Sequence, residues 1–222
     1  MLNFSTESTI SRSVRLPDRS LRIGVLGGTL DPVHYGHLFA AEEVRAWCGL
    51  DRILLMPCGQ APHKDYRAIT PAEHRYNMCV LAAQGNSHFC VSRIEIDRPG
   101  PSYTIDTLRE LRALYGSDTE LFFILGADAL LEIDTWRQPD DVLREAQCVV
   151  VPRKGVELDR LPSVIGAERA ARVVVIDMPL LGISATEIRR RVREGRPIRY
   201  LLPDPVIDYI QREGLYREAQ QP

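Results

Sequence analysis

The feature that most limits what this chain can fold into is a recurrence of short apolar runs, each separated from the next by a helical pattern or a glycine-bearing turn. Arg22 to Leu26 (R-I-G-V-L) is the first such run and ends in Gly27-Gly28, the pattern of a buried strand feeding a tight turn. Helical periodicity follows, with Leu38, Ala41, Val44 and Cys48 on one side and Gly49 closing it, as glycine commonly does just past a helix. Ile53 to Met56 is a second apolar run, stopped by Pro57. Two buried strands joined through a helix must lie parallel with a right-handed crossover. The same alternation predicts helices over 71–83, 104–115, 127–131, 140–145, 184–194 and 204–213, and strands over 88–96, 121–125, 148–151 and 173–176. The stretch 153–169 reads as the main irregular connection, with room for a short helix. Strands alternating with helices imply an α/β fold, an open and mainly parallel sheet covered on both faces.

Composition removes several other classes. A length of 222 residues suits one large domain, expected over 21–217, with 1–20 a disordered extension and 218–222 a tail. The first twenty residues are rich in Ser, Thr and Arg but lack the apolar centre of a secretory signal, and Glu7 and Asp18 sit poorly in a transit peptide. No run approaches the roughly 18 apolar residues of a membrane span. With 28 basic and 30 acidic residues the net charge is −2, so no nucleic-acid partner is expected and any anion must meet a local cluster. Five widely spaced cysteines without C-x-x-C point to reduced thiols in a cytoplasm, and away from a disulfide framework or a cysteine-rich zinc site.

In open α/β sheets ligands gather outside the carboxyl ends of the strands, so the loops after each strand hold the chemistry. The first reads G-G-T-L-D-P-V-H-Y-G-H, from Gly27 to His37. It matches neither G-x-G-x-x-G nor the G-x-x-x-x-G-K-[ST] phosphate loop. What it offers is a glycine pair that lets backbone approach an anion, then a helix start carrying His34 and His37 three residues apart. Free N–H groups at a helix start favour phosphate, and two imidazoles add donors at the same place. A zinc site would need a third ligand, for which His63, His74 and His88 have no compelling spacing.

Near the other end, Ile183 to Arg189 reads I-S-A-T-E-I-R. Ser184 and Glu187 have capping-box spacing, which accounts for a helix start without any ligand. The same terminus offers a second anion site, with Thr186 and Arg189 beside it. Six arginines between Arg189 and Arg199 read as a solvated face or, alternatively, as an RNA contact, although no aromatic interleaves them before Tyr200.

The first motif resembles the signature of the nucleotidylyltransferase superfamily, H-x-G-H after the first strand of a Rossmann-like fold, and I-S-A-T-E-I-R is similar to its second signature, with Ala185 in place of a serine. That resemblance implies a doubly wound Rossmann-like sheet whose C-terminal helices complete the nucleotide site. It implies transfer of a nucleoside monophosphate from a triphosphate, with pyrophosphate released. His34 and His37 would then stabilise charge on the triphosphate. The backbone of Gly27, Gly28 and Thr29 would approach the α-phosphate, and Ser184, Thr186 and Arg189 would hold the β- and γ-phosphates. Mg²⁺ would come with ATP, held through its phosphates.

Three further segments narrow the resemblance to the bacterial nicotinate-nucleotide adenylyltransferases, over nearly everything from Arg22 to about Tyr216. Lys64, in A-P-H-K after the second strand, can reach phosphates as a mobile charge. P-S-Y-T-I-D-T-L, Pro101 to Leu108, enters a helix with Ser102 or Thr104 as its expected cap. Gly126-Ala127-Asp128 follows the strand over 121–125, with Trp136 eight residues beyond Asp128. By motif position Thr104 would contact a nicotinate carboxylate, Trp136 would stack on the pyridine ring, and Asp128 would accept from a ribose hydroxyl. The implied partners are ATP and nicotinate mononucleotide, with a homo-oligomer left open. Nicotinamide mononucleotide or pantetheine phosphate as acceptor, and a non-catalytic nucleotide sensor or RNA-binding module, are the alternatives.

Overall fold

The computed structural model describes residues 20–62, 69–153 and 155–217. Apart from Ser20, the expected extension over 1–20 lies outside the described residues, as does the tail over 218–222. In chain order the elements are β1 (Arg22–Gly28), α1 (Tyr35–Cys48), β2 (Arg52–Pro57), α2 (Ala72–Ala83), β3 (Phe89–Val91), α3 (Ile94–Asp97), α4 (Thr104–Tyr115) and β4 (Glu120–Gly126). There follow α5 (Ala127–Leu131), α6 (Pro139–Glu145), β5 (Gln147–Val151), α7 (Leu161–Ile165), α8 (Ala167–Ala170), β6 (Val173–Val175), α9 (Ala185–Arg193) and α10 (Asp204–Arg212).

The strands form one sheet in the order β3-β2-β1-β4-β5-β6, and every pairing is parallel. The chain begins in the middle, works outward to β3, then returns to lay β4 on the other side of β1. This is the doubly wound order, and its crevice lies between the carboxyl ends of β1 and β4.

Side-chain alternation along the strands builds two cores. Leu26, Ile53, Leu55, Ile124 and Val149 face α1, α2, α9 and α10, where Val44, Met78, Ile188 and Val206 meet them. Ile23, Val25, Leu54, Leu125 and Val150 face α4 to α7, packing on Leu108, Leu130, Val142 and Leu161. Fully burying each such side chain contributes roughly 1.5–3 kcal/mol. Continuous apolar runs are therefore what a sheet covered on both faces requires. Among the described residues no helix is long and apolar enough to cross a membrane.

One expectation needs correction. The strand expected over 88–96 ends at Val91, and I-E-I-D forms the helical turn α3 instead. The apolar alternation of Ile94 and Ile96 imitates a strand, but β3 pairs only with Ile53 to Leu55. Past Val91 the Ser92 N–H still bonds Leu55, while Ser92 Oγ accepts from Ile94 N–H (3.3 Å) and starts the turn. The connection over 153–169 is partly helical, holding the single turn Leu158–Arg160, α7 and the start of α8.

Candidate active site

β1 ends at Gly28, whose φ of 147° lies where side chains are strained. Its carbonyl accepts from Cys58 N–H (2.9 Å), which ties the loop after β1 to the loop after β2. The Asp31–Pro32 peptide is cis, and His34 caps α1 from an extended conformation. The rings of His34 and His37 stack, with centroids 3.8 Å apart and planes 25° from parallel. The backbone N–H of His34 donates to His37 Nδ1 (3.3 Å). An accepting nitrogen carries no proton, so in the neutral ring the proton sits on Nε2, which is left as a donor. His34 Nδ1 is buried, and the two histidines form a reciprocal capping box, each side chain facing the other's backbone N–H. Burial, reinforced by the charge of Arg153, pulls the His34 imidazole down to about 4. For His37, burial, then His34 and then Arg153 hold the ring well below its ordinary value of 6.5.

The second motif meets the first. Ser184 caps α9 and its hydroxyl accepts from Glu187 N–H (3.2 Å). Only that half of the capping box forms, because the Glu187 carboxylate pairs with Arg190 and Arg191 (2.8 Å each). Arg189 Nη1 donates to the Asp31 carbonyl (2.6 Å) and Nη2 to Thr186 Oγ1 (3.3 Å). Gly36 lies so close that a Cβ there would meet the His34 ring at 3.0 Å and the Ile183 carbonyl at 3.5 Å. Segments about 150 residues apart in sequence are thus in contact.

A cavity of about 270 Å³ opens beside them at the crevice between β1 and β4. Gly27, Gly28 and Thr29 form one wall, and Thr104 and Trp136 stand in the others. Phe123 braces Trp136 edge-to-face, with centroids 5.9 Å apart. Thr104 is the first residue of α4, but neither it nor Ser102 caps the helix. Tyr103 occupies the cap without a side-chain bond, and Ser102 Oγ is used by Gly59 N–H (3.1 Å). His34, His37, Ser184, Thr186 and Arg189 do not line this cavity; Gly27 to Thr29 do, and the chain runs on from them to Asp31 and His34. Asp128 is exposed at the start of α5, 3.6 Å from Arg153 Nε. Lys64 lies outside the described residues. Of the arginine cluster, Arg190 and Arg191 are paired with Glu187, Arg196 with Glu194 and Arg199 with Asp204, as a solvated helix face would be. Among the described residues no cluster of three His, Cys, Asp or Glu side chains is placed to hold a metal.

Residues 25–191 match the family described as cytidylyltransferase-like. A protein of Thermoanaerobacter sp. named "Probable nicotinate-nucleotide adenylyltransferase" is 46% identical over 92% of this chain and 98% of its own length. One of the same name from Acidothermus cellulolyticus is 49% identical over 90% of this chain and 97% of its own. This chain belongs to the nicotinate-nucleotide adenylyltransferases of the cytidylyltransferase-like family. The fold agrees: the nicotinic acid mononucleotide adenylyltransferase of Plasmodium falciparum, solved with NaAD, superimposes with a TM-score of 0.74 at 21% identity, over 88% of this chain and 97% of that one.

Three groups at the site of this family member went unread in the sequence. Arg75 of α2 is almost wholly buried, and its guanidinium donates to the carbonyls of Thr29 (2.7 Å), Cys58 (2.6 Å) and Thr70 (2.8 Å). It thereby clamps the loops after β1 and β2 together. Buried Asp31 accepts from Tyr216 Oη (2.6 Å) and Thr70 N–H (3.1 Å); burial first, then Asp31, pushes the Tyr216 phenol far up, so it stays a donor. Arg153, two residues past β5, supplies a charge beside the imidazoles.

The depressed imidazoles make stability depend on pH. Unfolded histidines take up protons near 6.5, whereas folded His34 resists until about 4. Stability is therefore fully present above pH 6.5 and declines between there and 4, by about 1.4 kcal/mol per pH unit for each such group. Thermal unfolding of the chain and of a His34→Gln, His37→Gln double variant should show a shallower acid slope in the variant. Equal slopes would mean the pair is not held neutral.

Proposed function

We propose that this chain transfers the AMP part of ATP to nicotinate mononucleotide, giving nicotinate adenine dinucleotide and pyrophosphate, with residues 21–217 as one catalytic domain. A phosphate oxygen of the mononucleotide attacks the α-phosphorus, a new P–O bond forms, and the bond to the pyrophosphate oxygen breaks. The attacking phosphate is already ionised at neutral pH, so no general base is required. Positioning and charge stabilisation are what the protein must supply. Mg²⁺ enters as part of the substrate, held by the triphosphate oxygens.

The observation carrying this reading is the meeting of Arg189 and Asp31 beside the stacked pair His34 and His37, on the loop whose first residues, Gly27 to Thr29, line a cavity with Thr104 and Trp136. In this assignment His34 and His37 face the charge developing on the triphosphate. Gly27, Gly28 and Thr29 approach the α-phosphate, and Ser184, Thr186 and Arg189 hold the outer phosphates. Lys64 adds a mobile cation, and Asp128 accepts from a ribose hydroxyl. On the acceptor side, Thr104 takes the nicotinate carboxylate and Trp136 the pyridine face. A cavity whose walls include Val25, Leu108, Phe123 and Trp136 suits a flat ring better than a flexible pantetheine arm.

Pyrophosphate release measured with Mg·ATP and either mononucleotide tests the assignment. We expect release only with an acceptor present and a preference for the acid form of at least about tenfold in kcat/KM, the discrimination a site built around one polar group delivers. A preference for the amide, or release without an acceptor, would overturn it.

A further inference from the structure

We propose that Glu95 is a positioning residue for the acceptor side of the cleft, holding the start of α4 by taking up the hydroxyl of Thr107 so that Thr104 is the threonine of the motif left to meet the acceptor. This rests on the reading of the cavity as the nicotinate mononucleotide pocket. Glu95 is only 7% exposed yet stands on the cavity wall. A carboxylate removed from water must be hydrogen-bonded, and when ionised it can only accept. Thr107 Oγ1 donates to Glu95 Oε1 (2.7 Å) while accepting from Arg98 Nη1 (3.0 Å), and Arg98 is itself anchored by Glu110. Ser102, on the same cavity wall, is tied to the loop after β2. Its Oγ accepts from Gly59 N–H (3.1 Å) and its backbone N–H donates to the Gln60 carbonyl (2.8 Å).

The loop after β2 and the helical turn α3 are in direct contact as well, since a Cβ on Gly59 would overlap the Glu95 carbonyl. Three segments therefore make one hydrogen-bonded wall with Glu95 at its centre. The wall includes none of His34, His37 and Arg189, and the loop after β2 is held to the loop after β1 through backbone groups and Arg75, so disturbing the Glu95 side chain should act on the acceptor far more than on ATP.

Steady-state kinetics with each substrate varied in turn, beside circular dichroism and thermal midpoints, test this. Glu95→Gln keeps the volume but replaces an acceptor by an amide donor facing a hydroxyl that must then turn. It should raise KM for nicotinate mononucleotide by about tenfold or more and leave KM for ATP within about twofold. Thr107→Val, which removes the donor from the other end, should reproduce the split, whereas Thr107→Ser should restore wild-type behaviour. A merely structural role would lower the thermal midpoint or move both KM values together. That outcome, or folded Glu95→Gln and Thr107→Val proteins with unchanged acceptor KM, would overturn the proposal. Failure of the underlying reading looks different, because the wild-type protein would then release no pyrophosphate with this acceptor.

Discussion

Replacing His37 with alanine lowers turnover by about 10²–10³ while most of the affinity for ATP remains, the usual cost of deleting one preorganised donor from a centre where charge develops. The local geometry explains why so much rests on this ring. His34 N–H donates to Nδ1 of His37, which fixes the proton on Nε2, and the stacked His34 ring holds the imidazole plane. Its ring is kept neutral by burial and two neighbours, so it acts as an oriented hydrogen-bond donor whose orientation is set before ATP arrives. A donor fixed in advance helps the transition state more than the ground state, and so the loss appears in kcat. Single-turnover rates together with equilibrium ATP binding separate the two terms. Turnover near that of the wild-type protein would remove His37 from the chemistry, and a parallel collapse of ATP affinity would make it a binding residue.

The sheet could be read from the sequence because its central strands are buried on both sides and so are written as apolar runs. Leu121 to Leu125 and Cys148 to Val151 are such runs, and each was legible to within a residue or so at its ends. The edge was harder. β3 has one partner only, its pairing stops after three residues, and nothing in I-E-I-D tells a short strand from a helical turn. Strand order could not be read from periodicity at all, since it depends on which faces the helices cover.

The site divides along similar lines. His34, His37 and Ser184 drew attention in the sequence because they stand at helix starts, where free N–H groups favour an anion, and Arg189 because it lies about a turn inside the same helix as Ser184. Arg75 carries no such mark. It lies on an ordinary helix turn, and its importance comes from three carbonyls contributed by the loops after β1 and β2. Asp31 and Tyr216 are joined across 185 positions, a distance no local pattern spans. Arg153 was within reach, since it follows β5 at the carboxyl edge where ligands collect, but a single arginine after a strand is a common surface residue.

Substituting Arg189 with alanine should cost kcat/KM for ATP at least as much as the loss of His37, about 10²–10³, because two functions end together. The guanidinium holds the Asp31 carbonyl and the Thr186 hydroxyl, and in the proposed assignment its remaining donors face the triphosphate. Losing a charge-assisted contact to phosphate removes roughly 1.5–3 kcal/mol, and removing the clamp on the turn before His34 adds misalignment of the imidazoles. Arg189→Lys separates these contributions. A lysine keeps the charge but has no fork, so it can reach the phosphates or the Asp31 carbonyl but not both. We expect Arg189→Lys to recover part of the ATP affinity, seen as a lower KM than in Arg189→Ala, with kcat still depressed. Full recovery of kcat by lysine would show that charge alone matters and that the contact with Asp31 does not align the site. An alanine variant within about threefold of wild type in kcat/KM for ATP would detach the second motif from the triphosphate altogether, because a contact worth less than about 1 kcal/mol is no phosphate clamp.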